Sequence, residues 1–233
     1  VIPFDAERSL MYEITTKLVG GPHPQELGEP SLTESENATL NNWISRGAAS
    51  EEGVLPFTNR DQLLYVANQG DALISVIDME KNVVTRTIDL QELGFSENAS
   101  PHHIVVEPDG SHWYVSLIGE NAILKFDRSN NLINKLNFER PGLLALDRNT
   151  SKLYAGRSMA AVSPPQTIGV IDRFNMVLEE IGVFFPRPHA LAVEPESGAV
   201  YTASLAVNQI ATLYPEDEGI ELTTLEGERM HTL

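Results

Sequence analysis

Two stretches of the sequence share one pattern, PHHIVVEPDGSHWYVS at residues 101–116 and PHALAVEPESGAVYTA at residues 188–203. A shorter form lies between them, with PGLLALD at residues 141–147 and LYAG at residues 153–156. In each copy a Pro opens an apolar run, a turn with an acidic residue follows, and a Tyr marks the next apolar run. The chain therefore contains an internal repeat of roughly 40–47 residues.

Each copy continues with two more apolar runs that are separated by turn residues. The third run is residues 123–127, 168–172 and 210–214, and the fourth is residues 132–136, 177–181 and 220–225. Period-two alternation, β-branched residues and turns such as Asp109-Gly110 indicate short antiparallel strands. Four strands in a repeat of this length are typical of a β-propeller blade. We therefore predict a mainly β fold, a β-propeller of four-stranded antiparallel blades, with a small α-helical N-terminal segment.

A degenerate first copy precedes these three, and a fifth copy begins at the end of the chain. Val54–Phe57 is predicted as the inner strand of the first copy, which continues with LYVAN at residues 64–68. The predicted blades cover about 54–92, 101–138, 141–182 and 187–226, with a fifth opening at 229. Propellers close with about four to eight blades. We expect the chain to be part of a larger ring, and a partner that completes the ring or closure by four blades are the alternatives.

The pentapeptide at residues 64–68 resembles the YVTN repeats of bacterial β-propellers. The Pro-His pairs at 101–102 and 188–189 and the Ile-Asp pairs at 77–78 and 171–172 fit the same family. The resemblance covers roughly residues 54–233. It implies the architecture of the repeats and leaves their function open.

Residues 1–50 have a different character and are predicted to form helices at Glu7–Val19 and Ser35–Arg46, with Gly47 as the C-cap. LNNWISRGA at residues 40–48 resembles the last helix of a class I cytochrome c domain. That family attaches haem through C-x-x-C-H, whereas this sequence contains no Cys. In the ligand loop of the family this chain has Gly-Gly-Pro-His-Pro, so the resemblance implies that His23 would be an axial ligand if haem were bound.

Charge and hydropathy limit the kinds of partner. The chain has 33 acidic and 16 basic residues and a formal net charge of -17. Such a field repels phosphate backbones and anionic lipids, and it suits a basic protein surface. No apolar run approaches the roughly 18 residues that span a bilayer. We therefore predict a protein partner, no nucleic acid and no direct membrane insertion.

Histidines are the strongest candidates for a metal site. His102, His189 and His231 share one repeat position, His103 follows the first of them, and Gly142 interrupts the set. Equivalent positions of successive blades converge in a propeller, so these imidazoles could bind copper, as in the similar propeller of nitrous oxide reductase. The alternative is a structural imidazole that bonds between blades. A separate candidate for protein contact is the inserted loop that contains Ser163, Pro164, Pro165 and Gln166.

We interpret the sequence as a non-catalytic, extracytoplasmic bacterial scaffold without a cofactor. In this hypothesis it is an accessory or docking subunit that binds a cytochrome-bearing respiratory or photosynthetic membrane complex. Two alternatives stay open. One is a haem- or copper-dependent redox enzyme whose cofactor motifs lie outside these residues, and the other is a free-standing propeller that binds a peptide or sugar.

Overall fold

The structure, a computed structural model, describes residues 1–16, 28, 30–57, 62–161, 166–215 and 219–227. Two short helices and fifteen strands are found in these residues. The chain divides into two compact units, one of residues 1–66 and 74–89 and one of residues 67–73 and 90–233. Within the described ranges, neither helix has the length and hydropathy needed to cross a membrane.

The helices of the first unit are α1, Leu10–Thr16, and α2, Glu34–Ser45. The N-terminus of α2 is a capping box, in which Thr33 and Glu36 satisfy each other's backbone N–H groups. At the C-terminus of α2, the Gly47 N–H donates to Ile44 O (2.8 Å) and the Ala48 N–H to Trp43 O (2.9 Å). These two bonds form a Schellman motif, and the φ of +103° at Gly47 explains why Gly follows the helix.

The predicted start of the first helix is wrong by three residues, because residues 5–9 form turns of their own. The Arg8 N–H donates to Asp5 Oδ1 (3.1 Å), and the Ser9 N–H donates to Ala6 O (3.0 Å). Ser9 O then accepts from the N–H groups of Tyr12 and Glu13, which begins α1. Residues 17–19 of the predicted helix lie outside the described residues.

The first repeat forms a sheet of three strands in the order β1-β2-β3, which are Leu63–Asn68, Leu73–Asp78 and Val83–Asp89. The predicted inner strand at Val54–Phe57 is wrong, since these residues lie in coil and turn. The Val54 carbonyl accepts from the Ser50 N–H (3.0 Å), which closes a local turn. Pro56 has no N–H for a ladder, and Phe57 has a φ of +61° that no strand contains.

The other three repeats each form a four-stranded antiparallel sheet, as predicted. In each sheet the strands pair in chain order. The strands are β4 Pro101–Val106, β5 His112–Leu117, β6 Ala122–Asp127, β7 Leu132–Asn137; β8 Pro141–Leu146, β9 Lys152–Arg157, β10 Thr167–Asp172, β11 Val177–Gly182; and β12 Pro188–Val193, β13 Val200–Ser204, β14 Gln209–Tyr214, β15 Gly219–Thr224. The opening of a fifth repeat at 229 lies outside the described residues.

The three sheets of the second unit pack face to face. Their first strands are adjacent, since β8 contacts both β4 and β12. One core cluster includes Tyr114, Ile123, Leu144 and Ile171 from the first two sheets. A second cluster includes Val170, Val200 and Leu213 from the last two. Burial of these apolar side chains between successive sheets is what stabilises the array and aligns the starts of β4, β8 and β12.

Candidate functional site

The first strand of each four-stranded sheet begins with the same backbone irregularity. The residue before the opening Pro is left-handed in all three, with φ of 52° at Ser100, 44° at Arg140 and 54° at Arg187. The pairing register then shifts within the next three residues of β4, β8 and β12. Left-handed non-Gly residues and bulges are both enriched at functional sites, because each redirects side chains.

A backbone hydrogen bond explains how each left-handed residue is held. Ser100 O accepts from the Ile118 N–H (3.1 Å), Arg140 O from the Ser158 N–H (2.8 Å), and Arg187 O from the Leu205 N–H (3.0 Å). The three donors are the residues that follow β5, β9 and β13. Each sheet thus joins the residue before its first strand to the residue after its second strand.

His102 and His189 occupy matching positions in β4 and β12, and their ring centroids lie 5.8 Å apart. The third member of this set is Gly142, in the strand between them. A Cβ atom at Gly142 would lie 2.8 Å from His189 Nδ1 and 2.7 Å from Arg157 O. The gap in the histidine pattern therefore has a physical reason, because only glycine leaves room for the His189 ring.

The two paired histidines differ in their hydrogen bonds. His189 Nδ1 lies 2.7 Å from Arg157 O, and since a carbonyl only accepts, this nitrogen is the N–H donor. His102 Nε2 is buried and has no hydrogen-bond partner among the described residues. Burial lowers the pKa of His102 below its usual value of 6.5, and the neighbouring His189 lowers it further. His102 is therefore neutral near pH 7.

His103 has a role between sheets. The imidazole Nδ1 accepts a hydrogen bond from the backbone N–H of Leu144 in β8 (3.1 Å). The backbone N–H of His103 donates to Ser116 Oγ (3.1 Å). The Ser116 hydroxyl in turn donates to Gly142 O (2.8 Å). Burial first, and then His102 and His189, lower the pKa of His103, which keeps Nδ1 free to accept. This is the bonding between blades that the sequence offered as an alternative to metal.

A cavity of about 640 Å³ lies beside the paired histidines. His102 and His189 line it together with Ser100, Arg140, Ser158 and Met159, and none of the described lining residues is acidic. Arg140 Nη1 donates to Ile118 O (3.2 Å). In the described part of the chain Arg140 makes no ion pair. An arginine, two imidazoles and several hydroxyl or amide groups can together bind an anionic or strongly polar small molecule.

Most of the other predicted site residues lie outside the part of the chain that the structure describes. His23, His231, Ser163, Pro164 and Pro165 lie outside the described residues, and Gln166 is exposed. Within the described ranges, no group of three or more His, Cys, Asp or Glu side chains could hold a metal ion. Two imidazoles beside an arginine do not fit a copper centre by themselves. The metal set that includes His231, and the haem ligand His23, stay predictions.

Sequence reasoning missed Arg140 and Ser158. The available signal was their repeat position, because Arg140 precedes the opening Pro as Ser100 and Arg187 do. Ser158 follows its second strand as Ile118 and Leu205 do, and it is the polar member of that set. Neither signal shows that the two residues line one cavity, which depends on packing between sheets.

No protein-family model matches the chain, and no curated protein matches it. Solved structures do match it. Hydrazine synthase of Kuenenia stuttgartiensis has a TM-score of 0.59 at 16% identity, with 70% of this chain and 46% of that chain covered. Virginiamycin B lyase of Staphylococcus aureus has a TM-score of 0.56 at 13% identity, covering 77% and 62%.

A third match is dihydro-heme d1 dehydrogenase NirN in complex with DHE, with a TM-score of 0.58 at 14% identity. It covers 93% of this chain and 51% of that chain. The chain thus spans less than two thirds of each of these proteins. At such identities the likeness shows the fold alone, and that fold is the β-propeller.

Proposed function

We infer that the protein is a non-catalytic, extracytoplasmic propeller scaffold that docks a haem-bearing subunit of a membrane-associated electron-transfer complex. In this proposal residues 1–50 are a cytochrome c-like segment that binds the partner, and the repeats from residue 51 are the scaffold. The observation that carries it is the apolar face of α1. Leu10, Met11 and Ile14 are 68%, 47% and 37% exposed, and α1 has no buried residue.

A helix of seven residues without a buried face gains little stability from its own hydrogen bonds. Large apolar side chains exposed in a group commonly mark a surface that another protein covers. Trp43 in α2 adds to the apolar surface of the same unit, with 40% of its side chain exposed and its Nε1–H bonded to Ala49 O (2.8 Å). A partner that buries these groups would stabilise α1 and gain apolar contact area.

The comparisons support a redox context for this segment. The match to NirN leaves out 7% of the chain, which is about 16 of 233 residues. Since 62 residues precede β1, the likeness necessarily extends over most of the N-terminal segment. NirN is a dehydrogenase and hydrazine synthase is a synthase, whereas virginiamycin B lyase is a lyase. Because the fold is shared by all three, the electron-transfer assignment rests on the N-terminal segment.

Charge favours one chemistry for the partner. With a net charge of -17, the chain attracts a basic surface and repels anionic lipids. The expected partner therefore presents basic residues around an apolar centre that fits α1. Association of this kind is fast at low ionic strength and weakens as salt screens the charges.

The test is co-purification from the native membranes, with the chain tagged and expressed at its natural level. We expect the wild type to bring down a haem-bearing subunit, and Leu10→Ser with Ile14→Ser to lose at least nine tenths of it. Phe174→Ser is the matched control, because Phe174 is an apolar side chain of the second unit that is 85% exposed. Equal recovery of haem with the α1 variant and the control, or no haem with the wild type, would contradict the proposal.

A further inference from the structure

We propose that the cavity between His102 and His189 is a binding site for a small organic acid, with Arg140 and Ser158 as the groups that bind its carboxylate. This inference goes beyond the docking function and is independent of it. The cavity lies within the second unit, whereas the proposed docking residues belong to the first.

The charge of the cavity lining favours an anionic ligand. The chain carries 33 acidic residues, yet the described lining of the cavity contains none of them and does contain Arg140. Among the described residues, Arg140 has no carboxylate partner, and its side chain makes one hydrogen bond, to Ile118 O. Guanidinium groups bind carboxylates through two parallel N–H donors, so a ligand carboxylate would supply the partner that Arg140 lacks.

The Ser158 hydroxyl also favours a polar ligand in this cavity. Ser158 is 2% exposed, and its Oγ has no hydrogen-bond partner among the described residues. The matching positions in the neighbouring sheets are Ile118 and Leu205. A buried hydroxyl without a partner costs stability where an apolar side chain would not. Its presence at the wall of the cavity is explained if it donates to a bound ligand.

The imidazoles and the size of the cavity limit the kind of ligand further. His102 is also a lining residue, and its Nε2 is a second buried polar atom without a partner among the described residues. A neutral imidazole can donate one hydrogen bond to a carboxylate. The positive charge of Arg140 in the same cavity favours an anion over a metal cation. A volume of about 640 Å³ suits a molecule larger than acetate, and Met159 and Ile118 provide apolar walls.

The experiment titrates the full chain with acetate, succinate, citrate and terephthalate, up to 10 mM, and follows the imidazole Cε1–H resonances of His102 and His189 by NMR. Terephthalamide, which has the shape of terephthalate without its charge, is the matched probe. We expect at least one carboxylate to shift both resonances saturably, and terephthalamide to shift neither.

Two variants locate the site. Arg140→Gln should weaken carboxylate binding about tenfold or more, because a charge-assisted pair is lost. Arg187→Gln is the control, because Arg187 also precedes an opening Pro in a left-handed conformation but does not line the cavity. It should change the affinity less than threefold. Ser158→Ala should weaken binding while leaving the midpoint of urea unfolding unchanged or higher, which a purely structural serine would not do.

The proposal is overturned if none of the four carboxylates shifts the two resonances below 10 mM, or if terephthalamide binds as tightly as terephthalate. Equal affinities of Arg140→Gln and Arg187→Gln would also overturn it. Each of these outcomes leaves the co-purification of a haem-bearing subunit unaffected, so failure of the cavity site and failure of the docking function can be distinguished.

Discussion

Gly142 shows how one residue can set the geometry of the cavity wall. It stands where His102 and His189 stand in the adjacent repeats, and the missing side chain leaves space for the His189 ring. The His189 hydrogen bond to Arg157 O depends on that space. A substitution at this position therefore acts on a side chain 47 residues away in sequence.

Gly142→Ala is predicted to lower the free energy of unfolding by about 1–3 kcal/mol, the usual cost of forcing an extra carbon into a packed site. Urea unfolding measured by Trp113 fluorescence in a Trp43→Phe background follows the second unit, because Trp113 is 1% exposed and stacks on Phe126. Gly70→Ala is the control, since a Cβ atom at Gly70 has no heavy atom within 4 Å. If both variants unfold at the wild-type midpoint, the assigned role of Gly142 is wrong.

At the scale of elements, the strands of the repeats could be predicted because their signals are local. Alternation, β-branched residues and turn residues mark β4 to β15 directly. The failed strand at Val54–Phe57 had the right composition, but the Ser50–Val54 turn, Pro56 and the φ of Phe57 take its backbone out of the β region. The composition of a segment does not show which backbone hydrogen bonds its N–H groups form.

The cavity could be predicted only in part, because most of its lining is set by long-range packing and not by local signals. His102 and His189 were found because they recur at one repeat position. Arg140 lies one residue before β8, and Ser158 lies one residue after β9. Packing between the sheets is what places both residues in the lining of the cavity. Such long-range placement leaves no periodic signal in the sequence. His103 shows the same limit, since its bond to Leu144 spans 41 residues.

The C-terminus of α2 allows a matched test of an element. Gly47 has a φ of +103°, and a Cβ atom there would lie 2.6 Å from Phe4 Cζ and 2.7 Å from Leu55 Cδ2. Gly53 has a φ of +78° but no heavy atom within 4 Å of its Cβ position. The two glycines share the cost of a left-handed conformation and differ in crowding.

Gly53→Ala is therefore predicted to lower the free energy of unfolding by about 1 kcal/mol, and Gly47→Ala by roughly 2–4 kcal/mol. Trp43 fluorescence in a Trp113→Phe background reports this transition, because Trp43 Nε1 bonds to the backbone just after α2. Equal losses for the two variants would show that crowding by Phe4 and Leu55 contributes nothing.

At the scale of the whole molecule, charge and apolar surface support the same proposal. The acidic excess disfavours nucleic acid and anionic lipid as partners, and α1 exposes an apolar face that a protein partner could bury. The fold itself does not decide among functions, since proteins as different as a dehydrogenase and a lyase share it. Function therefore has to be assigned from individual sites, and the proposals made for this chain rest on α1 and on the cavity.

In the proposed function, the haem belongs to the partner subunit, and this chain binds that subunit without carrying haem itself. The most direct measurement isolates the native complex, separates its subunits in high salt, and records the Soret absorbance of each fraction. We predict that all of the haem absorbance stays with the partner and that the isolated chain shows none. Haem absorbance that migrates with this chain would contradict the docking proposal and would identify the protein as a redox carrier or enzyme.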